Sequence, residues 1–176
     1  VGSEMCIRDS LFIARLSREK GAELFCQALT DLNLKGYVLG DGELMKELKE
    51  KYPKIVFCGW VDGEEKEKFI LKGKGLIFPS LWYEGSPLTI LEMKSCGIPC
   101  IVPDKCAASE DIKDGFTGFV FQTGSLYSLK KAIMKYEKVD LSILQKNIIS
   151  TFDVNDYTPE NHTINLINIY TEILNE

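Results

Sequence analysis

Histidine occurs once in this chain, at His162, and none of the six cysteines (Cys6, Cys26, Cys58, Cys96, Cys100 and Cys106) stands in a C-x-x-C pair. A structural zinc site needs paired thiolates or a histidine pair, so no metal ligand set is expected. The cysteines fall inside apolar runs and read as small buried hydrophobes of a reducing cytosol. Arginine is also scarce, with Arg8, Arg15 and Arg18 all towards the N-terminal end. Acidic residues exceed basic ones by 26 to 21, a net charge of −5. No basic stripe exists to neutralise a run of phosphates, which excludes a nucleic-acid partner. No apolar run approaches the ~20 residues of a membrane span, and no secretory leader is visible.

The sequence is 45% hydrophobic and 27% charged over 176 residues, a composition and length that suit one globular domain with a proper core. Residues 1–10, VGSEMCIRDS, carry no periodicity and read as a non-native scar or a disordered tail. From residue 11 onward, short apolar runs at 11–14, 36–39, 55–57, 76–78, 100–102 and 118–121 alternate with helical patterns at 22–31, 43–51, 64–72 and 87–96. Repeated β-then-α units of this length predict an α/β fold, a doubly wound, Rossmann-like parallel sheet. The runs are continuously apolar, which fits strands buried on both faces. Three C-terminal helices are expected at 126–136, 141–150 and 159–174, with Thr158 capping the last and Pro159 in its first turn.

Ligands of such sheets bind in the loops at the carboxyl ends of the strands. The first of these loops, Arg15-Leu16-Ser17-Arg18-Glu19-Lys20-Gly21, holds neither G-x-G-x-x-G nor G-x-x-x-x-G-K-[ST], which counts against dinucleotide and P-loop binding. It places cations at a strand end just before a helix, which suits a phosphate group. A solvated charge run would look the same. Gly40 opens the second loop, and Trp60 and Val61 follow the third strand. In the fourth loop Ser86 reads as an N-cap and Pro87 as the first helical residue. The helix amides there would form an anion site, and Gly85 would allow close backbone approach. Glu84 and Glu92, eight positions apart, are placed to bracket a ligand and to accept hydrogen bonds from hydroxyls such as those of sugars. Two surface glutamates would give the same spacing. Glu110, in the fifth loop, is expected to serve the same cleft, followed by the tight turn of Asp114-Gly115 and Thr117-Gly118.

Together these segments resemble the family-four glycosyltransferases, a retaining group with the two-domain GT-B fold. FIARLSREKG at 12–21 is similar to the family's donor-phosphate loop, and FPSLWYEGSPLTILEMKSCGIPCIVPD at 78–104 to its E-x7-E segment. The E-x-I-x-D-G-x-T-G stretch at 110–118 resembles the run that closes the donor pocket, while LGDGELMKEL at 39–48 and VFCGWV at 56–61 fit the intervening strand ends. The resemblance implies that Arg15 and Lys20 hold the donor diphosphate and that Glu92 accepts hydrogen bonds from the ribose. It implies Glu84 at the transferred sugar, the amides of Ser86 to Leu88 beside it, and Trp60 and Val61 at the base. Arg15, Lys20 and Glu84 are then the catalytic candidates, with Gly40, Trp60, Val61, Gly85, Ser86, Pro87, Leu88, Glu92 and Glu110 in donor binding. Two departures, Ala14 and the pair Ala107-Ala108 where the family has glycines, are expected to reshape the pocket.

The same resemblance implies that residues 11–176 are the C-terminal, donor-binding half of a glycosyltransferase. A UDP- or GDP-sugar would be the donor, with no cofactor and no metal. A glycan or lipid-linked acceptor would sit on a missing N-terminal domain, against which residues 159–176 would pack. Surface polysaccharide assembly in the cytoplasm, peripheral to the inner membrane through that domain, is the expected setting. The alternatives are a non-catalytic nucleotide-sugar module working with a partner subunit and another nucleotide-binding α/β protein such as a dehydrogenase domain.

Overall fold

Along a strand, consecutive side chains leave opposite faces of the sheet, and this chain fills both faces with apolar residues. In the computed structural model, which describes residues 9–175, Phe12, Val38, Ile77, Ile101, Phe119 and Phe121 join one buried cluster. Their strand neighbours Leu11, Ile13, Leu39, Leu76, Cys100 and Val102 join a second. The six strands are β1 (Ser10–Ile13), β2 (Gly36–Leu39), β3 (Val56–Gly59), β4 (Gly75–Ile77), β5 (Cys100–Pro103) and β6 (Gly118–Phe121). Every pairing is parallel, and the strand order is β3-β2-β1-β4-β5-β6.

Helices cover each face. On the Phe12 side lie α1 (Ala22–Asp31), α2 (Met45–Lys51) and α5 (Leu126–Tyr136), which contribute Phe25, Leu29, Leu48, Leu129 and Ile133. On the other side lie α3 (Gly63–Lys72) and α4 (Leu88–Ser95), which contribute Ile70, Ile90 and Met93. The order reverses at β1, whose neighbours are β2 and β4. Connections leaving β1 and β4 run away from each other there and open a crevice at the strands' carboxyl ends.

The expected doubly wound sheet is therefore present, with element ends shifted by a residue or two. β1 begins at Ser10, paired with Gly36 and Gly75, so Ser10 belongs to the sheet and not to the expected tail. Residues 1–8 of that tail lie outside the described residues. At α4, Pro87 is extended (φ −72°, ψ 108°) and acts as the cap, so the helix starts at Leu88 and not at Pro87. Ser86 therefore falls one position before the cap and does not serve as one. The edge strand β3 is only partly buried, with Val56 38% exposed, because a single neighbouring strand covers it.

The C-terminal helices α6 (Leu141–Thr151) and α7 (Pro159–Asn175) differ in their attachment. α6 is capped by Asp140, which accepts from the Ser142 amide at 2.9 Å, and buries Leu144 and Ile148. Thr158 Oγ1 accepts from the Asn161 amide at 3.3 Å in the first turn of α7, as expected. Yet α7 buries no residue, and Ile164, Ile167, Ile169, Tyr170, Ile173 and Leu174 are all more than half exposed. No helix among the described residues is long and apolar enough to cross a membrane.

Candidate donor site

The first and fourth loops meet at one glycine. Gly21 ends a 3-10 turn at Arg18–Lys20 in the left-handed conformation (φ 70°), which favours glycine. A Cβ there would lie 2.0 Å from the carbonyl oxygen of Pro79. Next to this contact the Leu81 amide donates to the Glu19 carbonyl at 2.8 Å. The two loops are thereby stitched together, and Lys20 Nζ reaches Glu84 Oε1 at 2.6 Å although the residues are 64 apart in sequence. Ser80, fully buried, donates to the same oxygen at 2.9 Å. Both charged side chains are largely buried (28% and 19% exposed), so neither is a freely solvated surface charge.

Arg15 takes a local partner. Its Nη2 donates to Glu19 Oε1 at 2.9 Å, and Ser17 Oγ donates to that oxygen at 2.6 Å. The hydrogen bond from Ser17, then that from the Glu19 amide, with a smaller contribution from Arg15, hold the Glu19 carboxyl below its usual range. The Arg15 side chain remains 69% exposed.

Arg15 also lines a cavity of about 600 Å³ at the carboxyl ends of β1 and β2, walled by α3 and α4. Gly40, Trp60, Val61 and Glu92 line it too, so five of the predicted site residues share one space. Gly40 has φ 143°, and a Cβ there would sit 2.0 Å from the Ala14 carbonyl oxygen, so only glycine lets β1 and β2 end this close together. Trp60 presents an indole that is 73% exposed. Glu92 Oε2 accepts from Lys66 Nζ on α3 at 2.6 Å.

The remaining predicted residues lie elsewhere. Gly85, Ser86 and Pro87 line a smaller cavity of about 220 Å³ together with Glu110. Contrary to the expectation that Glu110 shares the cleft of Glu92, Glu110, just after the 3-10 turn Ala107–Ser109, lines this smaller cavity and not the one that Glu92 lines. Pro87 has no amide hydrogen, so of the three expected amide donors only Ser86 and Leu88 remain. Leu88 itself is 71% exposed.

Glu19, Lys66 and Ser80 were not among the sequence candidates. Lys66 belongs to the charged run GEEKEKFILK of α3, where no local pattern distinguishes the one lysine that faces α4. Ser80 lies in the loop after β4, separated from the strand by Phe78 and Pro79, and its position near a strand's carboxyl end is the available signal. Among the described residues no cluster of three or more His, Cys, Asp or Glu side chains could hold a metal ion.

Residues 8–151 match the family model of glycosyl transferases group 1. The chain belongs to this family. Over 131 residues it is 34% identical to the UDP-Gal:alpha-D-GlcNAc-diphosphoundecaprenol alpha-1,3-galactosyltransferase of Escherichia coli, covering 66% of this chain and 33% of that protein. Over 130 residues it is 30% identical to the lipopolysaccharide 1,6-galactosyltransferase of Escherichia coli strain K12, covering 69% of this chain and 36% of that protein. The chain thus spans about a third of the length of these relatives. Among solved structures, Anabaena HepE in complex with UDP superposes with a TM-score of 0.75 at 17% identity, over 90% of this chain and 48% of that one. The C-terminal domain of a group 1 family protein from Francisella tularensis gives 0.70 at 20% identity, over 81% and 83% respectively. At these identities the likeness is one of fold.

Proposed function

We propose that this chain is the nucleotide-sugar-binding, C-terminal half of a retaining glycosyltransferase, which transfers a sugar from a UDP- or GDP-sugar to a hydroxyl acceptor. The observation that carries this reading is the cavity at the ends of β1 and β2, where a carboxylate (Glu92), a cation (Arg15) and an exposed indole (Trp60) line one space. The UDP bound by the Anabaena fold neighbour and the UDP-Gal in the Escherichia coli relative's name point the same way. The acceptor would be a glycan or lipid-linked sugar held by an N-terminal domain. The exposed apolar residues of α7 would pack against that domain, in the cytoplasm and in surface polysaccharide assembly.

In this reading Trp60 and Val61 border the base and Glu92 accepts from the ribose. Arg15 and Lys20 take the diphosphate, with the amides of Ser86 and Leu88 beside it. Glu84 uses Oε1 for Lys20 and Ser80 and offers Oε2 to a hydroxyl of the transferred sugar. As the sugar–phosphate bond breaks, the sugar gains oxocarbenium character and negative charge grows on the departing diphosphate. A cation fixed beside that diphosphate binds the transition state more tightly than the ground state and so lowers the barrier. Holding Lys20 on Glu84 pre-positions this cation, and its flexible stem lets it follow the developing charge.

Thermal-shift and calorimetric titrations with UDP, GDP and NAD test the binding half of the reading. Stabilisation by UDP or GDP and not by NAD is expected. Stabilisation by NAD alone, or by none of the three, would refute it. Transfer of a labelled sugar once this chain is joined to an N-terminal acceptor domain tests the catalytic half, and binding without any transfer would favour a non-catalytic module.

A further inference from the structure

Lys66 and Glu92 link the two walls of the large cavity, one from α3 and the other from α4. Lys66 is flanked on its own helix by Glu64, Glu65 and Glu67, yet its bond goes across to Glu92. Its side chain is 24% exposed, against 70% for Lys68, which stays with Glu64 on the same helix. Three carboxylates line this cavity, those of Asp62, Glu67 and Glu92, against the two cations Arg15 and Lys66. Arg15 is already paired with Glu19. Asp62 stands at the N-cap of α3 but makes no side-chain capping bond, so its charge is not taken up by the helix amides. Without Lys66 the cavity would be strongly negative, and a nucleoside diphosphate carries several negative charges of its own. Near a protein surface water screens such like-charge contacts only in part, so each of them opposes binding of the diphosphate. Lys66 occupies Oε2 of Glu92, while Oε1 accepts no hydrogen bond among the described residues.

We infer that Lys66 is a positioning residue for the nucleoside. It holds Glu92 in the cavity with Oε1 presented to a ribose hydroxyl, and it offsets a charge that would otherwise repel the diphosphate. The inference rests on the donor-cavity reading proposed above and assigns that site a residue whose partner is Glu92 and not the phosphates.

The test is calorimetric titration of the chain with UDP, GDP and the 2′,3′-dideoxy form of whichever binds more tightly. The same titrations are run on Lys66→Met, Lys66→Arg and Glu92→Gln. Lys66→Met is expected to weaken the ribonucleotide by about tenfold or more, the scale of one charge-assisted hydrogen bond, and to erase most of the preference for ribose over dideoxyribose. Lys66→Arg should restore most of both, and neither variant should change the melting temperature by more than about 2 °C. In an enzyme completed by its acceptor domain, Lys66→Met should raise the donor KM more than it lowers kcat. Binding weakened by Glu92→Gln but untouched by Lys66→Met would overturn the assignment of Lys66 alone. Weakening by Lys66→Met with the ribose preference intact would also overturn it. Failure of the unsubstituted chain to bind either nucleotide would overturn the cavity reading and this inference together.

Discussion

Substituting Gly21 by alanine tests the junction on which the Lys20–Glu84 pair depends. The added Cβ would lie 2.0 Å from the Pro79 oxygen and 2.8 Å from the Pro79 carbonyl carbon. Ordinary carbon contacts begin at about 3.5 Å, so backbone must yield by more than an ångström, since the obstacle is main chain and not a flexible side-chain tip. The residue must also keep φ near 70°, which costs a non-glycine residue ~1–2 kcal/mol. Adding an overpacking cost of ~1–3 kcal/mol gives a destabilisation of roughly 2–5 kcal/mol. For a domain of this size each kcal/mol lowers the Tm by ~2–4 °C, so circular-dichroism melting should show a fall of roughly 4–20 °C. Because the two loops must part, the Leu81–Glu19 bond and the Lys20–Glu84 pair should loosen with them, and nucleotide affinity should fall beyond what unfolding explains. A melting temperature within 2 °C of the unsubstituted protein would refute the reasoning, for it would mean that the loops separate freely.

Other expected outcomes follow from the same geometry. Lys20→Ala, in an enzyme completed by its acceptor domain, should reduce kcat by about ten- to a thousand-fold, the range for one lost transition-state contact; near-normal turnover in a steady-state assay would remove Lys20 from the mechanism. Asp104 accepts hydrogen bonds from the Thr123 hydroxyl and amide at 2.6 and 2.9 Å, which hold its carboxyl below the usual aspartate range. Its contribution is therefore fully present above the unfolded aspartate pKa of ~3.9 and is lost as pH falls through the lower folded value. Asp104→Asn should accordingly melt lower than the unsubstituted protein at neutral pH, and the gap should narrow only in acid below ~3.9. Burial pushes the thiols of Cys26 and Cys100 up to about 12, so mass spectrometry after iodoacetamide treatment at pH 8 should find both unmodified. Cys96 is half-buried at the large cavity and should be labelled, and UDP or GDP should protect it. Deleting residues 159–176 should leave the melting temperature within about 2–4 °C, since α7 buries no side chain; a larger loss would show that α7 is part of the domain's core.

Much of this protein was determined by local sequence. Apolar runs of strand length, alternating with helical patterns, dictate a parallel sheet covered on both faces, because no other arrangement buries every run such as Leu11–Ile13 or Cys100–Val102 on both sides. That sheet in turn points to the strands' carboxyl ends, and Arg15, Gly40, Trp60, Val61 and Glu92 do converge there. What the chain order could not decide is which charge meets which. Lys20 and Glu84 are 64 residues apart, Lys66 and Glu92 are 26 apart, and no periodicity links them. The first pair exists because β1 and β4 are neighbours in the sheet, so the loops that follow them meet, and the second because α3 and α4 cover the same face. Glu110 and Glu92 likewise line different cavities, which their spacing in sequence does not reveal. Hydrophobic pattern is a property of each segment alone, and so it is legible in sequence; electrostatic partnership is a property of distance in space, which only the tertiary structure sets.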